Sequence, residues 1–138
     1  MENGDLKRDR ILNAVYETVS EALPVQDENA VRDLIEKYEL RNDVMVPLDF
    51  FLERGIGICR HSALACGALL ELLKKDGIIR GKASIDRNSI SRVGGHAWCR
   101  YTSFNGKVFI LDVTLEYLGT LSNASKKGRW NYRRAEDF

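Results

Sequence analysis

Two apolar runs meet at Asn105-Gly106, and that junction restricts the fold more than any other feature of the chain. Gly95–Ser103 reads G-H-A-W-C-R-Y-T-S and Lys107–Thr114 reads K-V-F-I-L-D-V-T, both rich in β-branched and aromatic residues. Asn-Gly tolerates the positive φ angles of a two-residue hairpin loop, so the runs are expected to be antiparallel neighbours. A two-residue loop sets 104 against 107, hence 99 against 112, and position 96 near 115. In that register a bulge or a one-residue slip is required to bring His96 and Asp112 side by side, and a longer loop type would change the register.

Helical spacing dominates before the hairpin. Leu6, Ile11, Leu12, Val15, Val19 and Leu23 form one apolar stripe, closed by Pro24. Asp27-Glu28-Asn29 precedes a second, with Ala30, Val31, Leu34, Ile35 and Tyr38 as its apolar positions. Arg41-Asn42-Asp43 is a polar break, and Pro47 leads into the short apolar segment Leu48–Leu52. A third helix is expected over 59–75, with Gly55 and Gly57 before it and Asp76-Gly77 as its stop. Ile78–Ile85 reads as a further strand, followed by a long polar loop, Asp86–Gly94. The chain therefore predicts one α+β domain over 1–122. Residues 123–138 form a basic tail, loosely ordered or docked only through Trp130 and Tyr132.

With 138 residues, 44% of them hydrophobic and 30% charged, the composition is that of a globular domain. Its net charge of +1 implies no global attraction to polyanions or membranes. The signs are unevenly placed: residues 1–53 carry 6 Lys/Arg against 13 Asp/Glu, and 54–138 carry 15 against 7. The polar N-terminus lacks a signal-peptide core, and three unpatterned cysteines are not a secreted disulfide framework. A cytoplasmic protein is the expectation, with no nucleic-acid or membrane partner.

The chemistry-bearing residues are distributed over separate elements. Cys59 opens the third helix, where unpaired N–H groups and the positive end of the dipole favour thiolate. His96 lies in one hairpin strand and Asp112 ends the other. A thiol nucleophile, an imidazole that activates it and later serves as acid, and a carboxylate that orients the ring form a complete set for acyl transfer. No cofactor is implied. Arg60, His61 and Trp98 are candidate cleft residues, although structural packing is the better fit for His61 and an equal one for Trp98. Cys66 and Cys99 read as buried.

These segments, G-x-C-R-H-x-A-L at Gly57–Leu64, H-A-W at His96–Trp98 and L-D-V at Leu111–Val113, resemble the transglutaminase-like superfamily, whose core is papain-like. The resemblance covers roughly residues 48–118. It implies a nucleophile-bearing helix packed on an antiparallel sheet, with Cys59, His96 and Asp112 as the catalytic triad. The C-R-H variant is similar to a branch found in bacteria and beside some plant protein kinases. Glu53 stands where papain-like proteases carry a glutamine that donates to the oxyanion, and no acidic loop resembles a calcium site.

The expected activity is thioester-mediated transfer at a peptide or glutamine amide, on a protein or peptide substrate. Hydrolysis (protease or deamidase) is favoured over transamidation. Two other classes use the same residues. One is a non-catalytic binding module that retains the fold. The other is a zinc site drawn from Cys59, His61, Cys66, His96 and Cys99.

Overall fold

The computed structural model describes residues 2–38, 48–90, 94–134 and 137. Helix α1 (Glu2–Ala22) ends as expected, just before Pro24. After the two-residue strand β1 (Val25–Gln26), α2 (Glu28–Lys37) begins at Asp27, whose carboxylate accepts the Asn29 N–H at 3.0 Å. The polar break at Arg41-Asn42-Asp43 and Pro47 lie outside the described residues. Leu48–Arg54 is helix α3, and Ile56–Gly57 is β2, which pairs in parallel with β1. Helix α4 (Cys59–Lys75) has the bounds expected from the sequence. Four strands follow, β3 (Lys82–Ile90), β4 (Gly94–Thr102), β5 (Val108–Asp112) and β6 (Tyr117–Thr120), and then a short helix, α5 (Leu121–Lys126). Among the described residues this is an α+β chain whose main sheet is antiparallel in the order β3-β4-β5-β6.

The sheet is covered on both faces. On one, Leu12, Val15 and Val19 of α1 and Cys66 and Leu70 of α4 bury themselves against Cys99, Tyr101, Phe109 and Leu111. Each such side chain contributes roughly 1.5–3 kcal/mol of burial, so α1 and α4 are held by packing more than by propensity. Alternation turns Trp98 and Ile110 to the other face, where they pack with Tyr117, Ala124 and Tyr132.

Three expectations are corrected. The strand expected over Ile78–Ile85 instead runs Lys82–Ile90, so most of the presumed loop Asp86–Gly94 pairs with β4, from Asp86 opposite Trp98 to Ile90 opposite Gly94. Its polar side chains misled the reading because an edge strand with one polar face lacks a continuous apolar pattern. The tail is also more firmly placed than expected. Tyr132 is 1% exposed, Arg134 makes two short contacts to Asp86 (2.6 and 2.7 Å), and Arg100 clamps Asp137 through two bonds of 2.7 and 2.9 Å.

The third correction concerns the hairpin. Its loop has three residues, Phe104–Gly106: the Gly106 N–H bonds the Ser103 carbonyl at 2.9 Å, and Ser103 N–H bonds the Lys107 carbonyl at 2.8 Å. Gly106 takes φ +87°, the left-handed position that closes such a loop. Thr102 therefore pairs with Val108 and Cys99 with Leu111, one residue away from the expected register. A one-residue slip exchanges the faces of a whole strand. Here it moves Asp112 from the face of Cys99 to the face of His96 and Trp98.

Candidate functional site

The local chain dictates where Cys59 sits. The β1–β2 pair and the bond from Asp27 N–H to the Gly57 carbonyl (3.2 Å) anchor the approach to α4. A Cβ on Gly57 would lie 3.1 Å from the His61 Cβ and 3.3 Å from Leu23, so glycine lets the backbone press between them. One turn into the helix, His61 Nδ1 accepts the Ile58 N–H at 2.9 Å, satisfying one donor at the helix start. Its ring lies on Phe51, with centroids 3.9 Å apart. Burial, and then the neighbouring Arg60 charge, lower His61 to a pKa of about 4. The neutral ring thus carries its proton on Nε2 at neutral pH.

Cys59, His96 and Asp112 come together at the end of the sheet where β4 begins. His96 Nε2 and Asp112 Oδ2 are 2.5 Å apart, and both residues are buried. The ionisation of the Cys59 thiol is coupled to the same imidazole and to the backbone N–H groups of Ala97 and Arg60. Since Asp112 occupies Nε2, Nδ1 is left for the sulfur. Burial opposes ionisation of Cys59, but the His96 and Ala97 hydrogen bonds outweigh it and hold the thiol below its ordinary value. Burial likewise disfavours the imidazolium, yet the bonds to Asp112 and Cys59 raise His96 to about 9. Thiolate and imidazolium stabilise each other, which is the electrostatic condition for a reactive cysteine.

Asp112 is itself held. Its Oδ1 accepts the Leu115 N–H at 3.1 Å, and its Oδ2 accepts the Tyr132 hydroxyl at 2.8 Å in addition to His96. Trp130 stands edge-on to the His96 ring with centroids 5.1 Å apart, and its indole N–H bonds Asn88 Oδ1 at 2.7 Å. Asn88 in turn donates to the Asn131 carbonyl at 2.7 Å. Sequence reasoning assigned Tyr132, Trp130 and Asn88 no place at the site. The two aromatic residues in a polar tail were a visible docking signal, whereas nothing local marked Asn88.

A cleft of about 890 Å³ opens over the sulfur, lined by Cys59, Arg60, Arg87, Ser89, His96 and Thr114 among others. Of the three candidate cleft residues, Arg60 lines it. Trp98 and His61 do not: Trp98 is 2% exposed and packs on Tyr132, and His61 is engaged at the helix start. Glu53 is exposed on α3 and is not among the lining residues. Cys66 and Cys99 are fully buried in the main core, which raises the Cys66 thiol to about 12 and shifts Cys99 upward as well. The five residues of the zinc alternative do not form one cluster: no group of three or more His, Cys, Asp or Glu side chains assembles as a metal-binding set among the described residues.

No helix among the described residues is long and apolar enough to cross a membrane. Comparison with protein-family models, with curated proteins and with solved structures returns no match.

Proposed function

We propose that this chain is a cysteine enzyme of transglutaminase-like type that transfers acyl groups from amides of protein or peptide substrates. One observation carries the reading: a partly buried thiol, depressed in pKa by a neighbouring imidazole whose Nε2 is 2.5 Å from a buried carboxylate. In this reading the Cys59 thiolate attacks the amide carbonyl carbon, and the developing oxyanion is met by N–H groups at the start of α4. As the C–N bond breaks, the His96 imidazolium gives its proton to the departing amine. Water then attacks the thioester with His96 as base, and the C–S bond breaks to release a carboxylic acid and regenerate the thiolate–imidazolium pair. Asp112 holds the ring and stabilises its cation throughout. Hydrolysis is favoured over transamidation because the cleft is open, leaving little wall to exclude water.

Two measurements test this. Iodoacetamide should alkylate Cys59 rapidly below about pH 8, and His96→Ala should move the inflection up toward the ordinary thiol value of about 8.5. Ordinary thiol behaviour in the wild type would count against an enzyme and for a non-catalytic binding module. Intact-mass analysis of candidate substrates then separates the outcomes. A gain of about one dalton marks deamidation, a loss of about seventeen marks cross-linking, and fragments mark proteolysis. Cys59→Ser should be inert in all three.

A further inference from the structure

The cleft has an uneven supply of recognition groups. Among the described residues, Ile58 and Ala97 provide its aliphatic side chains, and most of the remaining lining is polar or charged. Two cations stand beside the sulfur instead, Arg60 on the first turn of α4 and Arg87 on β3. Both are exposed, and neither has an acidic partner among the described residues. Among the described lining residues the one carboxylate, Glu28, is 3.8 Å from Arg32, and the one carboxylate of β3, Asp86, is paired with Arg134. The charge left facing an incoming chain is positive.

The second element is main chain. Strand β3 is an edge of the sheet: it pairs with β4 along nine residues, and among the described residues no segment pairs with its other side. Its Arg87–Ser89 portion is also a wall of the cleft. An open edge presents a row of N–H and C=O groups that an extended peptide can complete, with specificity left to a few side-chain contacts.

We infer that the substrate segment is an extended, acidic peptide that adds as a strand to the free edge of β3 and places carboxylates beside Arg87 and Arg60, flanking the reacting amide. The inference rests on the proposed acyl-transfer reading, and its test uses binding alone so that the two can fail separately. Backbone pairing supplies the register along β3, and the two arginines select for acidic residues on either side of Cys59.

Fluorescence anisotropy on full-length Cys59→Ser protein is the assay. The probes are dye-labelled dodecapeptides with a central glutamine, flanked either by Asp/Glu or by Ser/Asn. The acidic peptide should bind about tenfold more tightly, the advantage should shrink as salt is raised, and Arg60→Glu/Arg87→Glu should reverse it in favour of a Lys-flanked peptide. N-methylation of alternate peptide amides should abolish binding in one alternation and spare it in the other, since only every second N–H of a paired strand faces the edge. Equal affinity for acidic and uncharged peptides overturns the inference, as does N-methylation that is harmless in both alternations. Rapid alkylation of wild-type Cys59 at low pH alongside either result would leave the enzyme reading standing and remove only the substrate class.

Discussion

Replacing Tyr132 by Phe removes a single oxygen from the most enclosed part of the site. Tyr132 and Asp112 are 1% and 2% exposed, so no water can take over the hydroxyl's 2.8 Å bond to the carboxylate. A hydrogen bond to a charged group contributes about 1.5–3 kcal/mol, and truncation should cost an amount in that range. The ring contacts stay: Phe keeps the edge-on packing with Trp98 (centroids 5.1 Å) and the stacking on Tyr117 (5.9 Å), so a cavity penalty is not added. With a urea m-value of about 2 kcal/mol/M, the midpoint should fall by roughly 1 M at unchanged m. Chemistry should respond differently. Asp112 keeps His96 and the Leu115 N–H, and with one donor fewer its charge is more available to the imidazolium. Alkylation of Cys59 at about pH 6 should therefore stay within about threefold of wild type. Unfolding followed by tryptophan fluorescence and iodoacetamide kinetics on the same protein read both effects. A midpoint unchanged within error would refute the idea that this bond holds the C-terminal segment on the sheet. A collapse of alkylation with intact stability would refute the division of labour between Tyr132 and His96.

Asp112→Asn is the complementary change: with the anion gone, the His96 pKa should drop from about 9 and Cys59 alkylation at about pH 6 should slow by at least about tenfold, and a rate equal to wild type would remove Asp112 from the reactive set. His61 predicts an acid-side loss of stability. Its folded pKa of about 4 lies below its free value of 6.5, so its contribution is complete above about pH 6.5 and is lost as pH falls through 4, up to about 3 kcal/mol. His61→Gln retains an acceptor for the Ile58 N–H without titrating, and should flatten urea midpoints across that window; an unchanged slope would refute the assignment. Gly81→Ala should destabilise by more than about 2 kcal/mol, because Gly81 has φ +108° and a Cβ there would lie 2.4 Å from the Thr102 carbonyl oxygen. A wild-type urea midpoint would contradict that.

Helices were the most legible elements, for a local reason. The bounds of α4 follow from glycines before Cys59, a broad apolar face and Asp76-Gly77 after it, all within one stretch of chain. Cys66 and Cys99 were placed correctly in the core by spacing and alternation alone. Strand β3 was misread because its partner, not its own sequence, defines its extent: Asp86, Asn88 and Ser89 are polar yet fully paired with β4. Short elements such as β6 and α5 carried too few residues for any period to show.

The residue types needed at the site were present in the linear chain: a cysteine at a helix start, a histidine in one strand and an aspartate ending the next. Their convergence was decided elsewhere. A three-residue loop in place of a two-residue one shifts the hairpin by one position, and because side chains alternate, that shift puts Asp112 on the same face as His96. The docking of Trp130 and Tyr132 then closes that face around the pair. Local propensity can specify where a helix begins. Which of two registers a hairpin adopts, and which distant side chain covers it, depends on burial summed over both faces of the sheet, a quantity that exists only once the chain is folded.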